Sequence, residues 1–273
     1  MTTSIRSFPQ KSDLEKCNIF ISEHLKDKAK FSNNTHGDPI TGPAITLTQK
    51  TGIETEDLSA SLAKRLDMLH SSDGVSWMVF DHQLIDRVLS EHGLPLSLKK
   101  LIPLKHRSYY RDVIEEFVGL RPPSWEMGAK IAETVLHLAS AGRVILVGRG
   151  TDIVTKSLQN TLHIHLTASL DWRAERLAEK SDRSIEEARS YAQKSDHENE
   201  RFIQQYFGKR TDDLRKTHLV LRVDLLGMEL VEHLIFQTAT QTLDGLYDPQ
   251  ENVEDNEDEI LANPILLPER LLQ

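Results

Sequence analysis

The chain predicts an α/β protein with a doubly wound parallel sheet and helices on both faces, and three observations lead there. Short apolar or β-branched runs recur: AITLT from Ala44, WMVF from Trp77, VILV from Val144, TLHIHLT from Thr161 and HLVLR from His218. Longer segments with apolar residues at helical spacing separate them. Most runs end in turns bearing Gly, Asp or Arg. Open parallel sheets bind their ligands at that edge, outside the carboxyl ends of the strands.

Residues 1–43 mix polar residues with Gly37, Pro39, Gly42 and Pro43. They read as a flexible or partly helical extension, because Lys11 to Lys30 can form a short amphipathic helix. The folded body is expected over 44–243. AITLT is its first strand, and Glu56 to Leu66 follows as a helix with Leu58, Leu62, Ala63 and Leu66 on one face. After a polar turn at Ser71 to Ser76, the run from Trp77 forms a second strand ending at Asp81. HQLIDRVLSEHG is then a helix stopped by Gly93 and Pro95. Leu98 to Ala141 is helical, with breaks at Pro103 and at Pro122 and Pro123. RVILVGRG is a strand entering a Gly-Arg-Gly turn, and TLHIHLTAS is the next strand. Asp171 to Lys180 and Ser184 to Tyr206 are helices, HLVLRVD is the last strand, and Met228 to Leu243 is the last helix.

Composition limits the function classes. Of 273 residues, 38% are hydrophobic and 27% charged, slightly polar for a soluble domain. Asp244 to Glu259 holds eight acids and no Lys or Arg, which accounts for all but one unit of the net charge of −9. Like charges at that density resist folding, so 244–273 is expected to be an acidic, disordered tail; its apolar end, Ile265 to Leu272, can dock on the body or on a partner. A body near neutrality argues against non-specific binding to nucleic acid, and no DNA partner is expected. Cys17 is the only cysteine, which excludes an internal disulfide and a cysteine-based metal site. The chain has no apolar run of about 18 residues and no secretory start, so a cytoplasmic protein without a membrane partner is expected.

Three turns carry candidate chemistry. A phosphate loop aims several backbone N–H groups at one anion at a helix N-terminus, and glycines let the chain turn that tightly. The turn after AITLT, QKTGIETEDL, has a single glycine, Gly52, and acids at Glu54, Glu56 and Asp57. It lacks the GxxxxGK[ST] pattern. In VGRG, Arg149 stands between two glycines, and its planar fork suits a phosphate or a base edge; the other reading is a plain strand-to-helix turn whose arginine pairs with a carboxylate. In LTASLDWRAERL, Arg173 and Arg176 lie three apart, expected on one face of a helix that follows a strand, with Arg183 further on. Such arginines can neutralise charge on a transferring phosphoryl group, or simply form a solvated helix face.

Taken in order and spacing, these pieces resemble the cytidylate kinase-like branch of the P-loop nucleoside monophosphate kinases over roughly Ile45 to Leu243. ITLTQKTGIETEDLSASLAKRL is similar to that branch's first strand, phosphate loop and helix, and FDHQLIDRVLSEHG to its Tyr/Phe-Asp-x-x-Leu-Ile segment. VILVGRGTDIV resembles its Val-Ile-x-Gly-Arg-Gly turn, and LHIHLTASLDWRAERL its next strand and helix start. Ser184 to Gly208, with Asp196, Phe202, Tyr206 and Phe207, sits where the family carries an Asp-x-x-Arg-x-x-aromatic segment. The resemblance implies a helical lid-type insertion, ATP with Mg2+ as cofactor, and a CMP-like nucleoside monophosphate as the partner molecule. Carried over by position, Gly52 and Thr55 fall in the cofactor loop and Asp81 and Arg149 on the acceptor side. Arg173, Arg176 and Arg183 fall toward the lid as the catalytic arginines, and no metal-ligating residue is assigned.

The sequence departs from the family at defined places. Of the loop's Gly-x-Gly-Gly only Gly52 remains, with Glu54 and Thr55 where a glycine pair is expected and Glu56 at a position that is usually basic. Asn199 replaces the arginine of the Asp-x-x-Arg segment, and His218 and Arg222 stand where the last strand usually reads Asp and Asn. Two functions therefore follow from the sequence. One is ATP-dependent phosphoryl transfer to a nucleoside monophosphate; the alternative is a catalytically inactive kinase fold that serves as a binding or regulatory subunit, with a protein partner reached through the terminal extensions.

Overall fold

The structure, a computed structural model, describes residues 18–22, 24, 42–69, 76–81, 126–156, 158–207 and 217–243. Among the described residues five parallel strands form one sheet: β1 (Ala44–Gln49), β2 (Met78–Phe80), β3 (Val144–Val147), β4 (Thr161–Thr167) and β5 (Leu219–Arg222), in the spatial order β2-β3-β1-β4-β5. β1 is central, pairing Ala44 with Val144 on β3 and with Thr161 on β4. The connection from β1 runs toward β2 and that from β4 toward β5, so the carboxyl ends of β1 and β4 flank the switch point where such sheets bind ligands.

Alternation along β1 sorts its side chains onto two faces. Ile45 and Leu47 join Ile145, Val147, Leu162, Ile164 and Leu166 in one apolar core. That core is covered by α1 (Glu56–Leu69) through Leu58, Leu62 and Leu66, and by the last helix of the described residues (Met228–Leu243) through Val231, Ile235 and Ala239. Burying such side chains stabilises the fold by about 1.5–3 kcal/mol each. The opposite face carries α2 (Glu126–Ala141) and the short α3 (Thr151–Val154), which pack against β1, β3 and each other. Helices thus cover both faces. Between β4 and β5 stands a packed helix pair, α4 (Leu170–Lys180) and α5 (Ile185–Phe207), followed after β5 by α6 (Val223–Leu226) and α7 (Met228–Leu243).

Local chemistry sets several of these boundaries. Ser169 caps α4 by accepting the Trp172 N–H at 3.4 Å. α5 opens on a capping box: the Ser184 N–H donates to Glu187 at 2.8 Å and the Glu187 N–H donates back to Ser184 Oγ at 3.3 Å. Gly142, φ 79°, ends α2 where the chain before β1 crosses so closely that a Cβ would lie 2.1 Å from the Gly42 carbonyl oxygen.

The strands and helices expected over 44–69, 77–81, 144–207 and 218–243 are found within a few residues of their sequence boundaries. The helix expected over 82–93, the first part of the 98–141 segment, most of the N-terminal extension and the acidic tail lie outside the described residues. The described part of the extension is helical over 18–22 and packs on the body. Phe20 is 2% exposed with its ring 5.5 Å from that of Phe80, and His24 Nε2 lies 3.2 Å from the Gly142 carbonyl oxygen. Among the described residues no helix is long and apolar enough to cross a membrane.

Candidate functional site

The loop between β1 and α1, Lys50 to Thr55, leaves the carboxyl end of the central strand. The Ile53 N–H donates to the Lys50 carbonyl at 3.2 Å, and Gly52 takes φ 92°, so the chain makes a tight turn with one glycine. A Cβ at Gly52 would lie 3.1 Å from the Arg173 carbonyl oxygen and from two Leu177 side-chain carbons. The loop is thus packed against α4.

Its polar groups are engaged internally. The Thr51 N–H donates to Asp196 Oδ1 at 3.0 Å, and the Thr51 hydroxyl donates to Ser195 Oγ at 3.0 Å, both on α5. Arg173, 6% exposed, donates through one nitrogen to Asp196 Oδ2 and to the Thr51 carbonyl, each at 2.9 Å, and through Nε to the Ala168 carbonyl at 3.3 Å. One carboxylate and one guanidinium thereby join the loop, α4 and α5. At the helix start, the Thr55 N–H donates to Glu56 Oε2 at 3.0 Å, so the carboxylate of the first α1 residue folds back onto a loop amide. Glu54 pairs instead with Lys180 at the end of α4, and Lys50 reaches Glu200 at 3.4 Å. Gln49 Nε2 donates to the buried Thr55 hydroxyl at 3.4 Å, while Gln49 Oε1 and Asn199 Oδ1 are buried without partners.

The seven residues singled out from sequence divide four ways. Gly52, Thr55 and Arg173 meet at the loop. Arg149 follows β3 beside it: the Gly148 N–H donates to the Leu47 carbonyl at 3.1 Å, a Cβ at Gly148 would meet nothing, and the Arg149 side chain is exposed. Asp81, half-buried, follows β2 at the far edge of the sheet. Arg176 and Arg183 are exposed and lie over aromatic rings, Arg176 above Trp172 at 5.5 Å and Arg183 above Tyr191 at 4.4 Å. Arg173 and Arg176 do not act as a pair: three residues apart, one is buried under the loop and the other faces solvent.

Sequence reading placed Asp196 in a family segment but missed its contacts with Thr51 and Arg173. Asp196 lies 145 residues from Thr51, and no local pattern announces that contact. It also missed Asp152, in α3 just after the Gly-Arg-Gly turn, whose carboxyl burial pushes up from its ordinary range. His165, near the end of β4, is held below the usual histidine range chiefly by burial and also by the Lys50 charge, against the opposing pull of Asp196. Among the described residues no group of three or more His, Cys, Asp or Glu side chains is placed to hold a metal ion.

A parallel five-stranded sheet, a loop and helix after its central strand, and a helix pair inserted before the last strand define a kinase-like P-loop α/β fold. The chain belongs to the Cytidylate kinase-like family, whose model matches residues 44–225. It therefore has a nucleotide kinase-like fold. A crystal structure of an uncharacterized protein from Eubacterium ventriosum superposes with a TM-score of 0.54 at 14% identity, covering 74% of this chain and 98% of that one. A shikimate kinase from Bacteroides thetaiotaomicron matches with a TM-score of 0.36 at 14% identity, covering 75% and 97%. No curated protein matches the sequence.

Proposed function

We propose that this chain is a catalytically inactive kinase-fold protein, acting as a binding or regulatory subunit, whose phosphate loop is closed by its own carboxylates. One observation carries the reading: the Thr51 and Thr55 amides already donate to Asp196 and Glu56. An anion held at the start of α1 would draw on such loop donors. Both are in charge-assisted bonds, roughly twice as strong as neutral ones. A triphosphate approaching Thr55 would also meet the Glu56 carboxylate, and a like-charge contact near 4 Å costs on the order of 4 kcal/mol at an effective dielectric near 20. The residues present therefore do not fit ATP with Mg2+.

Calorimetry with Mg-ATP and with CMP, each to millimolar concentration, tests the reading. Neither should release binding heat, and a coupled assay should detect no turnover. Binding of either nucleotide, or turnover that falls on Arg149→Ala, would overturn it. The partner contact belongs to the terminal segments: deleting 244–273 should abolish capture of a protein partner and leave the melting transition of the body intact.

A second reading, an active nucleoside monophosphate kinase, has one observation in its favour. Arg149 presents an exposed guanidinium with no ion-pair partner among the described residues, beside open space at Gly148, at the ligand-binding edge of the sheet. The same turnover assay decides between the two.

A further inference from the structure

His218 stands immediately before β5, where the edge strand joins the sheet. Its backbone N–H donates to the His163 carbonyl at 2.9 Å, and its ring Nδ1 accepts the His163 backbone N–H at 2.8 Å. One residue thus holds both main-chain groups of His163. In an ordinary parallel ladder a backbone carbonyl would accept that N–H. Here a titratable atom does. A backbone amide can only donate, so Nδ1 must keep its lone pair and the ring must be neutral, with its proton on Nε2.

The surroundings reinforce that state. The His163 and His218 rings stack at 5.2 Å with 22° between their planes, and His163 Nδ1 lies 2.8 Å from the Thr46 hydroxyl on β1. Two residues along the same face of β4, His165 Nδ1 lies 2.9 Å from the Thr48 hydroxyl, with Lys50 and Asp196 near the loop beyond it. β4 and α6 pack against β5. Among the described residues, the titratable or charged groups they present are the bases His163 and His165 on β4 and Asp224 on α6, which is engaged with Arg222 at the far end of β5.

We propose that His218 is a proton-sensitive latch that fastens the edge strand β5 to β4, and that protonating Nδ1 releases this edge of the sheet. A protonated ring would set an N–H donor against the His163 N–H, and the 2.8 Å bond between them would be lost. His218 is exposed at the edge of the sheet, and the desolvation its ring does undergo lowers its affinity for that proton, so the latch is closed at neutral pH and opens as the solution turns acid.

Nitrogen-15 NMR on the full chain tests this. At pH 7.5 the His218 ring should be the Nε2–H tautomer. The hydrogen-exchange protection of the His163 amide, corrected for intrinsic exchange, should fall by up to about tenfold per pH unit below the ordinary histidine value of 6.5. Protection at Ile145, in the middle of the sheet, should not fall with it. His218→Asn offers a carbonyl oxygen that accepts but does not titrate, so it should keep the protection and lose the pH dependence. The proposal is overturned by an Nδ1–H tautomer at pH 7.5, by pH-independent protection of His163, by an equal fall at Ile145, or by unchanged pH dependence in H218N. Should that variant not fold, the tautomer and the wild-type exchange profile decide alone.

Discussion

Arg173 offers the sharpest test of how the loop is held. Its guanidinium forms an ion pair with Asp196 at 2.9 Å, and the two side chains are 8% and 13% exposed. Arg173→Met keeps much of the buried stem and removes the charge. Asp196 is then left buried without its cation, and the Thr51 carbonyl loses a donor. Breaking a buried pair by removing one partner costs about 3–5 kcal/mol, well above the roughly 0–1 kcal/mol of an exposed pair. For a body of this size each kcal/mol moves the melting temperature by about 2–4 °C, so a fall on the order of 6–20 °C is expected. Thermal unfolding at pH 7 measures that fall, and urea unfolding the free-energy loss. Asp196→Leu should cost a similar amount, and the double variant Arg173→Met with Asp196→Leu should recover much of the loss, because no unpaired charge remains. A loss below about 1 kcal/mol for Arg173→Met would refute the reasoning, since that is the behaviour of a solvated surface pair.

Three further outcomes are expected. Gly52→Ala places a Cβ 3.1 Å from the Arg173 carbonyl oxygen and Leu177 at φ +92°, so urea unfolding should show a loss of about 1–3 kcal/mol. Phe20→Ala should cost about 3–5 kcal/mol, because its buried ring packs edge-on to Phe80; a variant as stable as the parent in the same assay would mean that the 18–22 segment does not stabilise the body. Stability should also depend on pH through His165 and His218, both held below 6.5 in the fold chiefly by burial. The unfolded chain then binds more protons. Their contribution is complete above about pH 6.5 and is lost as the pH falls below it toward the folded values. The lowered carboxyls of Glu187 and Asp224 act the same way only below their ordinary values of 4.5 and 3.8. Melting temperatures from pH 8 to 5.5 should therefore decline below 6.5, and the decline should shrink in His165→Gln.

The frame of the molecule was legible because its signals are local. AITLT, VILV and TLHIHLT are short apolar runs of the kind that fill buried parallel strands, and the Leu58, Leu62, Ala63 and Leu66 spacing leaves one way for α1 to face the sheet. The altered loop was legible as an alteration, since Glu54 and Glu56 stand in plain view. Where those carboxylates go was not. Glu54 turns to Lys180 across 126 residues, while Glu56 turns back to an adjacent amide, and side-chain spacing alone does not distinguish the two. Arg173 and Arg176 were indistinguishable in the sequence because a three-residue step on a helix allows a shared face; the meeting of α4, α5 and the loop buries only the first. The histidines on β4 carried no recognisable motif, and His218 read only as a departure from the family's last strand. Their hydrogen bonds come from strand register, which becomes visible only when β1, β4 and β5 lie side by side.

The central claim, that the loop is closed by its own carboxylates, is tested most directly at its amides. In a nitrogen-15 NMR titration of the full chain with Mg-ATP to 5 mM, at about physiological ionic strength, the account predicts that the resonances of Thr51, Gly52 and Thr55 stay where they are. Saturable shifts at those three amides would show the cradle opening to phosphate and would contradict it.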